Sequence, residues 1–324
     1  MRAITLESDG LHYQASHAEP TPAEGEVLVQ VLQAGICETD LQLAQGYMGF
    51  RGILGHEFVG IAQAGTHAGR RVVGEINCNC RVCPTCQAGR PTHCPHRTVI
   101  GIDRHDGAFA QSVAIPEHNL HVVPEGVTDD QALFTEPLAA AFEILQQVAI
   151  ESTDRIAILG DGRLGYLSAQ VLSSVTDRIT VFGKHGVKLL RFGHRGYEVV
   201  QIPSTDPVEL PHHKFDVVVD CTGSTTGLPM AIHLVRPRGT VVLKTTVADR
   251  HELSLASIVI DEISVVGSRC GPFATALDAL AGGQVDVDGL ITDRYSLDQV
   301  NPAFASAVNP NSFKVVFEIG SASD

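Results

Sequence analysis

Arg155-Ile156-Ala157-Ile158-Leu159-Gly160-Asp161-Gly162-Arg163-Leu164-Gly165 is the stretch that decides the fold. A short apolar run reads as a buried strand, and the glycine pattern G-x-G-x-x-G follows it directly. Leu164, Leu167, Val171, Leu172 and Val175 then recur at the spacing of one helix face. Gly160 permits the tight turn, Gly162 lets the backbone approach a pyrophosphate, and Gly165 lets helix and strand pack closely. The helix N-terminus faces the negative charge, so strand, turn and helix together predict a dinucleotide site.

Outward from this stretch, strands and helices alternate. Apolar runs recur at 178–182, 216–220, 240–243 and 263–266. Nearly all-apolar strands between helices imply a parallel sheet covered on both faces, an α/β doubly wound domain. Residues 1 to about 145 differ: they are rich in glycine and proline, with short β-type runs such as Val27–Val31 and Phe58–Ile61. That texture predicts a strand-rich domain with functional loops. A helix over 274–281 and an apolar stretch over 313–319 are expected to return to it. The organisation read from the chain is therefore 1–145 with 270–324 as one domain and 146–269 as the other.

The second strand should end near Val181-Phe182-Gly183-Lys184-His185, where an NAD-type site places an acidic residue for the ribose 2′-hydroxyl. Here a glycine leaves room for a 2′-phosphate, and Lys184 and His185 offer cations, so NADP is expected over NAD. Arg163, Leu164, Thr222 and Lys314 complete the expected cofactor contacts.

Cys80, Cys83, Cys86 and Cys94 are spaced C-x2-C-x2-C-x7-C. Four thiolates so close in sequence can converge on one closed tetrahedral centre, the pattern of structural zinc. Cys78 lies near enough to replace Cys80. Cys37, His56, Glu57 and Glu136 form a second, mixed donor set, and a mixed set suits a metal that keeps a position open for chemistry.

The bulk of the chain limits what else it does. Of 324 residues, 37 are acidic and 23 basic, a formal charge of -14, which disfavours nucleic acid and anionic membrane as partners. The opening Met1-Arg2-Ala3-Ile4-Thr5-Leu6-Glu7 lacks the apolar core of a signal peptide. No apolar run approaches the roughly 18 residues a membrane span needs. With eight cysteines, five of them between Cys78 and Cys94, the chain reads as metal-binding in a reducing compartment, hence a cytoplasmic protein.

Gly35-Ile36-Cys37-Glu38-Thr39-Asp40, then Gly55-His56-Glu57, the four-cysteine lobe and the glycine fingerprint occur in one order over nearly the whole chain. In this the chain resembles the zinc-dependent medium-chain dehydrogenases, the alcohol, polyol and threonine dehydrogenase family. The resemblance implies a GroES-like catalytic domain joined to a Rossmann domain, and two zinc ions per chain. It implies catalytic-zinc ligation by Cys37 and His56, with Glu136 of Glu136-Pro137-Leu138 as the third ligand of the polyol and glucose branch. Glu57 resembles the carboxylate that approaches the metal during ligand exchange, Asp40 the one that orients the histidine, and Thr39 the residue that takes the alcohol proton. The implied reaction is hydride transfer between an alcohol or polyol, or its carbonyl counterpart, and NAD(P), with zinc polarising the substrate oxygen.

Many relatives carry histidine three residues after the relay hydroxyl, where this chain has Gln42, which cannot exchange protons readily at neutral pH. Tyr47, Met48, Phe50, Arg51, Phe109 and Phe273 are candidate pocket residues, and Arg51 with few aromatics favours a small polar substrate. Cys221 and Cys270 read as structural rather than nucleophilic. The alternatives are a threonine or amino-alcohol dehydrogenase of the same fold, and a non-catalytic zinc- and NADPH-binding sensor. By analogy with relatives the expected assembly is a homodimer or homotetramer, with 263–266 as the candidate edge strand.

Overall fold

The structure is a computed structural model that describes residues 1–202, 210–247 and 253–320. Its contacts divide the chain into two units, Met1–Glu136 with Phe273–Asp324, and Pro137–Pro272.

The second unit is built on a six-stranded parallel sheet. In spatial order its strands are Glu198–Gln201, Ile179–Gly183, Ile156–Leu159, Phe215–Asp220, Val235–Leu243 and Ser264–Gly267. The four residues of Ile156–Leu159 are each 0% exposed, which is why this strand can be apolar without alternation. The strand order reverses at Ile156–Leu159, and in open sheets of this kind ligands bind beyond the carboxyl end of that switch-point strand. The helix Arg163–Leu172 starts there, with Gly162 as its N-cap.

The first unit is rich in strands and loops, with helices at Glu38–Ala44, Phe273–Ala281 and Val300–Ala307. Glu26–Gly35 is its longest strand and pairs antiparallel with Glu57–Ala62, Ser112–Pro116 and Lys314–Glu318. Val27, Val29 and Val31 alternate inward, as one buried face of a strand requires. Phe109 sits against Phe317 and Phe304 with edge-on rings, at centroid distances of 5.0 and 6.3 Å, and helps close this core. The terminal strand Lys314–Glu318 pairs within the first unit.

The register of this sheet sets the site. Gly35 lies opposite Glu57 on one side and Val316 on the other. The residues just past these ends, Cys37, His56 and Lys314, therefore emerge together at one end of the sheet. Among the described residues no helix is long and apolar enough to cross a membrane.

Candidate metal and dinucleotide sites

Cys37 caps the helix Glu38–Ala44, and His56 follows Gly55 at the start of the strand Glu57–Ala62. Gly55 has φ +96, and a Cβ there would fall 2.3 Å from the ring of Phe109, so only glycine makes this turn. Donor atoms of Cys37, His56 and Glu57 all lie within 4.8 Å of one another. Glu136, in the first turn of the helix Thr135–Gln147, is not part of that mutual set.

Asp40 ties the set together from beneath. Its carboxylate is 0% exposed, accepts the Cys37 N–H at 2.8 Å and the Gly55 N–H at 3.3 Å, and stands 3.4 Å from His56 Nδ1. One side chain thus fixes both backbone segments that carry the donors. Burial penalises a charged His56, but Asp40 and Cys37 beside it more than offset this, and the imidazole's pKa stands well above its ordinary value. A metal entering here displaces a proton. The donors suit zinc: one thiolate, one imidazole and carboxylate nearby.

Lys314, expected among the cofactor contacts, is 1% exposed, pairs with the Glu57 carboxylate and donates to the Ile36 carbonyl at 3.3 Å. Burial pulls its pKa down to about 8, with Cys37 and Asp40 opposing. Gly35 leaves the room it needs, since a Cβ there would meet Lys314 Cε at 2.2 Å.

The cysteine lobe shows a second donor set. Sγ separations are 3.5 Å for Cys83–Cys86, 3.8 Å for Cys83–Cys94 and 3.6 Å for Cys80–Cys94. Four sulfurs about 2.3 Å from a common centre stand about 3.8 Å apart, so the cage has the dimensions of a zinc tetrathiolate. None of the eight cysteines is in a disulfide. Backbone hydrogen bonds from Cys80 and His96 help lower the Cys94 thiol to about 6 although burial opposes them, and the lowering favours thiolate. Cys78 stands outside the set; burial pushes its thiol up to about 12, and its sulfur lies 3.9 Å from Asn119 Nδ2.

In the second unit the glycines of the motif shape a tight strand-to-helix turn. Gly160 has φ +114, and a Cβ on Gly165 would sit 2.1 Å from the Gly160 carbonyl. A Cβ on Gly162 would meet nothing within 4 Å, so open space lies over the backbone where a pyrophosphate approaches. Thr222 is held by Asp220, Oγ1 donating to Oδ1 at 2.7 Å, and in turn accepts the Ser224 N–H at 3.2 Å. Lys184 is exposed, whereas His185 is bound to Asp161. Asp161 in the glycine turn and Lys188 in the helix Gly186–His194 are two charged residues that the sequence did not single out. A carboxylate inside a phosphate-binding glycine motif was the available signal.

Among the pocket candidates, Phe109, Phe273 and Phe50 are buried at 0, 4 and 7% exposure and serve the core. Met48 is exposed, with φ 56, and Arg51 donates to the Phe50 carbonyl at 2.6 Å. Gln42 donates to Glu38 at 3.0 Å.

Known proteins agree with this architecture. The family model described as alcohol dehydrogenase GroES-like domain matches residues 23–125, and that of the glucose dehydrogenase C-terminus matches 130–319. A sorbitol dehydrogenase of Halalkalibacterium halodurans is 29% identical, the match covering 98% of each chain. A Sinorhizobium meliloti protein described as a zinc-binding dehydrogenase, solved bound to NADP, superposes with a TM-score of 0.84 at 29% identity over 98% of each chain. An alcohol dehydrogenase of Escherichia coli complexed with NADH superposes at 0.88 with 25% identity, over 98% of this chain and 99% of that one. The chain belongs to the zinc-dependent medium-chain dehydrogenase family, with a GroES-like part and a Rossmann-type part.

Proposed function

We propose that the protein is a cytoplasmic zinc-dependent oxidoreductase that moves hydride between a small alcohol or polyol, or its carbonyl counterpart, and NADP, with NAD as the poorer cofactor. The observation that carries this reading is the convergence of Cys37, His56 and Glu57 in a chain that also has the glycine fingerprint. Two zinc ions per chain are proposed: one held by Cys80, Cys83, Cys86 and Cys94, the other by Cys37, His56 and Glu136, with Glu57 as an exchanging carboxylate. When bound, the second zinc supplies Lewis acidity to the substrate oxygen and the nicotinamide supplies the hydride acceptor.

The chain's own residues do the rest. Asp40 orients His56 and fixes the Cys37 turn, so the donors are preorganised. Lys314 holds the Glu57 carboxylate and balances its charge in a buried place. Thr39 takes the substrate proton, and Gln42, bound to Glu38, leaves its release to water. Eight cysteines without a disulfide among them fit a reducing compartment. Homo-oligomerisation is proposed through the edge strand Ser264–Gly267, where Val265 is 39% exposed, next in sequence to Val259 and Ile260 at 73 and 77%.

The test is absorbance of NADPH and NADH against a panel of short alcohols, polyols and their carbonyl counterparts, on protein of measured zinc content. Turnover that a Cys37→Ala variant loses supports the reading. Two zincs and bound cofactor without turnover on any member would favour the sensor.

A further inference from the structure

The second strand of the dinucleotide sheet ends without an acid, yet a carboxylate is there. A Cβ built on Gly183 would fall 2.6 Å from both Cβ and Oδ2 of Asp161. Asp161, the first variable residue of the glycine motif, therefore fills the volume that a side chain at the strand end would take. It is 6% exposed. Its Oδ2 accepts the His185 N–H at 2.6 Å, and the ring Nδ1 stands 3.0 and 3.1 Å from its two oxygens. A carboxylate so enclosed is poorly placed to read a ribose hydroxyl, but well placed to hold an imidazole.

Among the described residues the ring is held from one side only. A carboxylate partner makes Nδ1 the donor, so Nε2 becomes the free polar atom of a side chain that is 37% exposed. Lys184 is exposed beside it in sequence. The carboxylate's charge is answered locally: Lys188, 8% exposed, has its pKa lowered by burial, while Asp161 favours its charge and Arg163 opposes it. Lys184, Lys188 and Arg163 thus bring positive charge to the region of Gly183 and Asp161.

We propose that Asp161 is a positioning residue for cofactor choice, holding His185 by Nδ1 so that Nε2 and Lys184 receive the 2′-phosphate of NADP. The proposal rests on the NADP reading above and assigns that preference to a pair the glycine motif conceals. With Nδ1 committed to Asp161, Nε2 is the ring atom left to bond the phosphate, as donor when it carries a proton and as acceptor from a protonated phosphate oxygen.

The test uses whole, zinc-loaded protein and two probes, adenosine 2′,5′-bisphosphate and AMP, titrated calorimetrically. Asp161→Asn keeps the shape and removes the charge. We expect it to weaken the bisphosphate by about tenfold and AMP by less than about twofold. In a His185→Ala background the same substitution should change neither probe, because the effect runs through the ring. His185→Asn, which can still donate to Asp161 but lacks an outward nitrogen, should match His185→Ala. Tighter bisphosphate binding in Asp161→Asn would show that the carboxylate repels the phosphate and would overturn the assignment. Equal losses for both probes would show a structural role and overturn it too. NADP preference is judged separately, from NADPH and NADH titrations of the unaltered protein. A preference for NADH, with Asp161→Asn still weakening the bisphosphate alone, would sink that preference and leave the Asp161 assignment standing.

Discussion

Asp40 concentrates more of the metal site's geometry than any donor does. It bonds the backbone at Cys37 and at Gly55 and lies against the His56 ring. Asp40→Ala should cost about 1–3 kcal/mol of stability, because buried N–H groups lose their partner. It should also weaken zinc at the Cys37 set by about 10–100-fold, as loss of such orienting partners does. Chelator competition reads the second effect, and an unchanged zinc affinity would remove Asp40 from the site. Because His56 holds its proton above the usual imidazole range, zinc uptake there should release a proton and weaken as pH falls. Proton release measured in weakly buffered solution checks the sign. Gln42→His should raise turnover and introduce an ionisation near the ordinary imidazole pKa of about 6.5. Identical rates and pH profiles would show that proton release never depended on this position.

At the scale of elements, the lobe and the sheet answer to different forces. Taking zinc from the four-sulfur cage should loosen residues 80–94, since the helix Pro84–Gln87 and the turn Pro91–His93 are too short to stand alone. Limited proteolysis of Cys83→Ser should cut there first, and a lobe that stays protected would argue against a zinc-held loop. In the parallel sheet, Asp216 takes hydrogen bonds from Arg236 Nε at 2.6 Å and from the Arg155 N–H at 2.8 Å. Burial raises its pKa, but these partners outweigh it and the net shift is downward. Its contribution is therefore present above the unfolded carboxylate pKa of about 3.9 and is lost as pH falls through the lower folded value. The effect should be at most about 1 kcal/mol, visible as a smaller acid-induced drop in Tm for Asp216→Asn. Legibility also differed by element. Ile156–Leu159 and its glycine turn could be read because burial on both faces leaves an unbroken apolar run. The strand Glu198–Gln201 escaped notice because it is a short, largely exposed edge strand, with no apolar run to mark it. Cys37, His56 and Glu57 were legible through motif chemistry. The pairings of Asp161 with His185 and of Lys314 with Glu57 were not, since the partners lie 24 and 257 positions apart and only the fold brings them together.

Over the whole molecule, on the proposed reading, a GroES-like part and a Rossmann-type part divide the labour of metal and dinucleotide. The exposed apolar side chains of Ala256–Ile260 and the open edge of Ser264–Gly267 belong to the latter. A Val265→Asp, Ile260→Asp double substitution should reduce the mass seen by light scattering to that of one 34.5 kDa chain. An unaltered mass would place any assembly elsewhere. The central claim is hydride transfer that depends on the Cys37 metal set. Its most direct measurement is NADPH-linked absorbance across the alcohol and polyol panel, before and after selective removal of zinc from that set with the lobe zinc retained. The account expects turnover with a polar subset, lost on removal and restored by zinc. Turnover that persists undiminished without that zinc would contradict it.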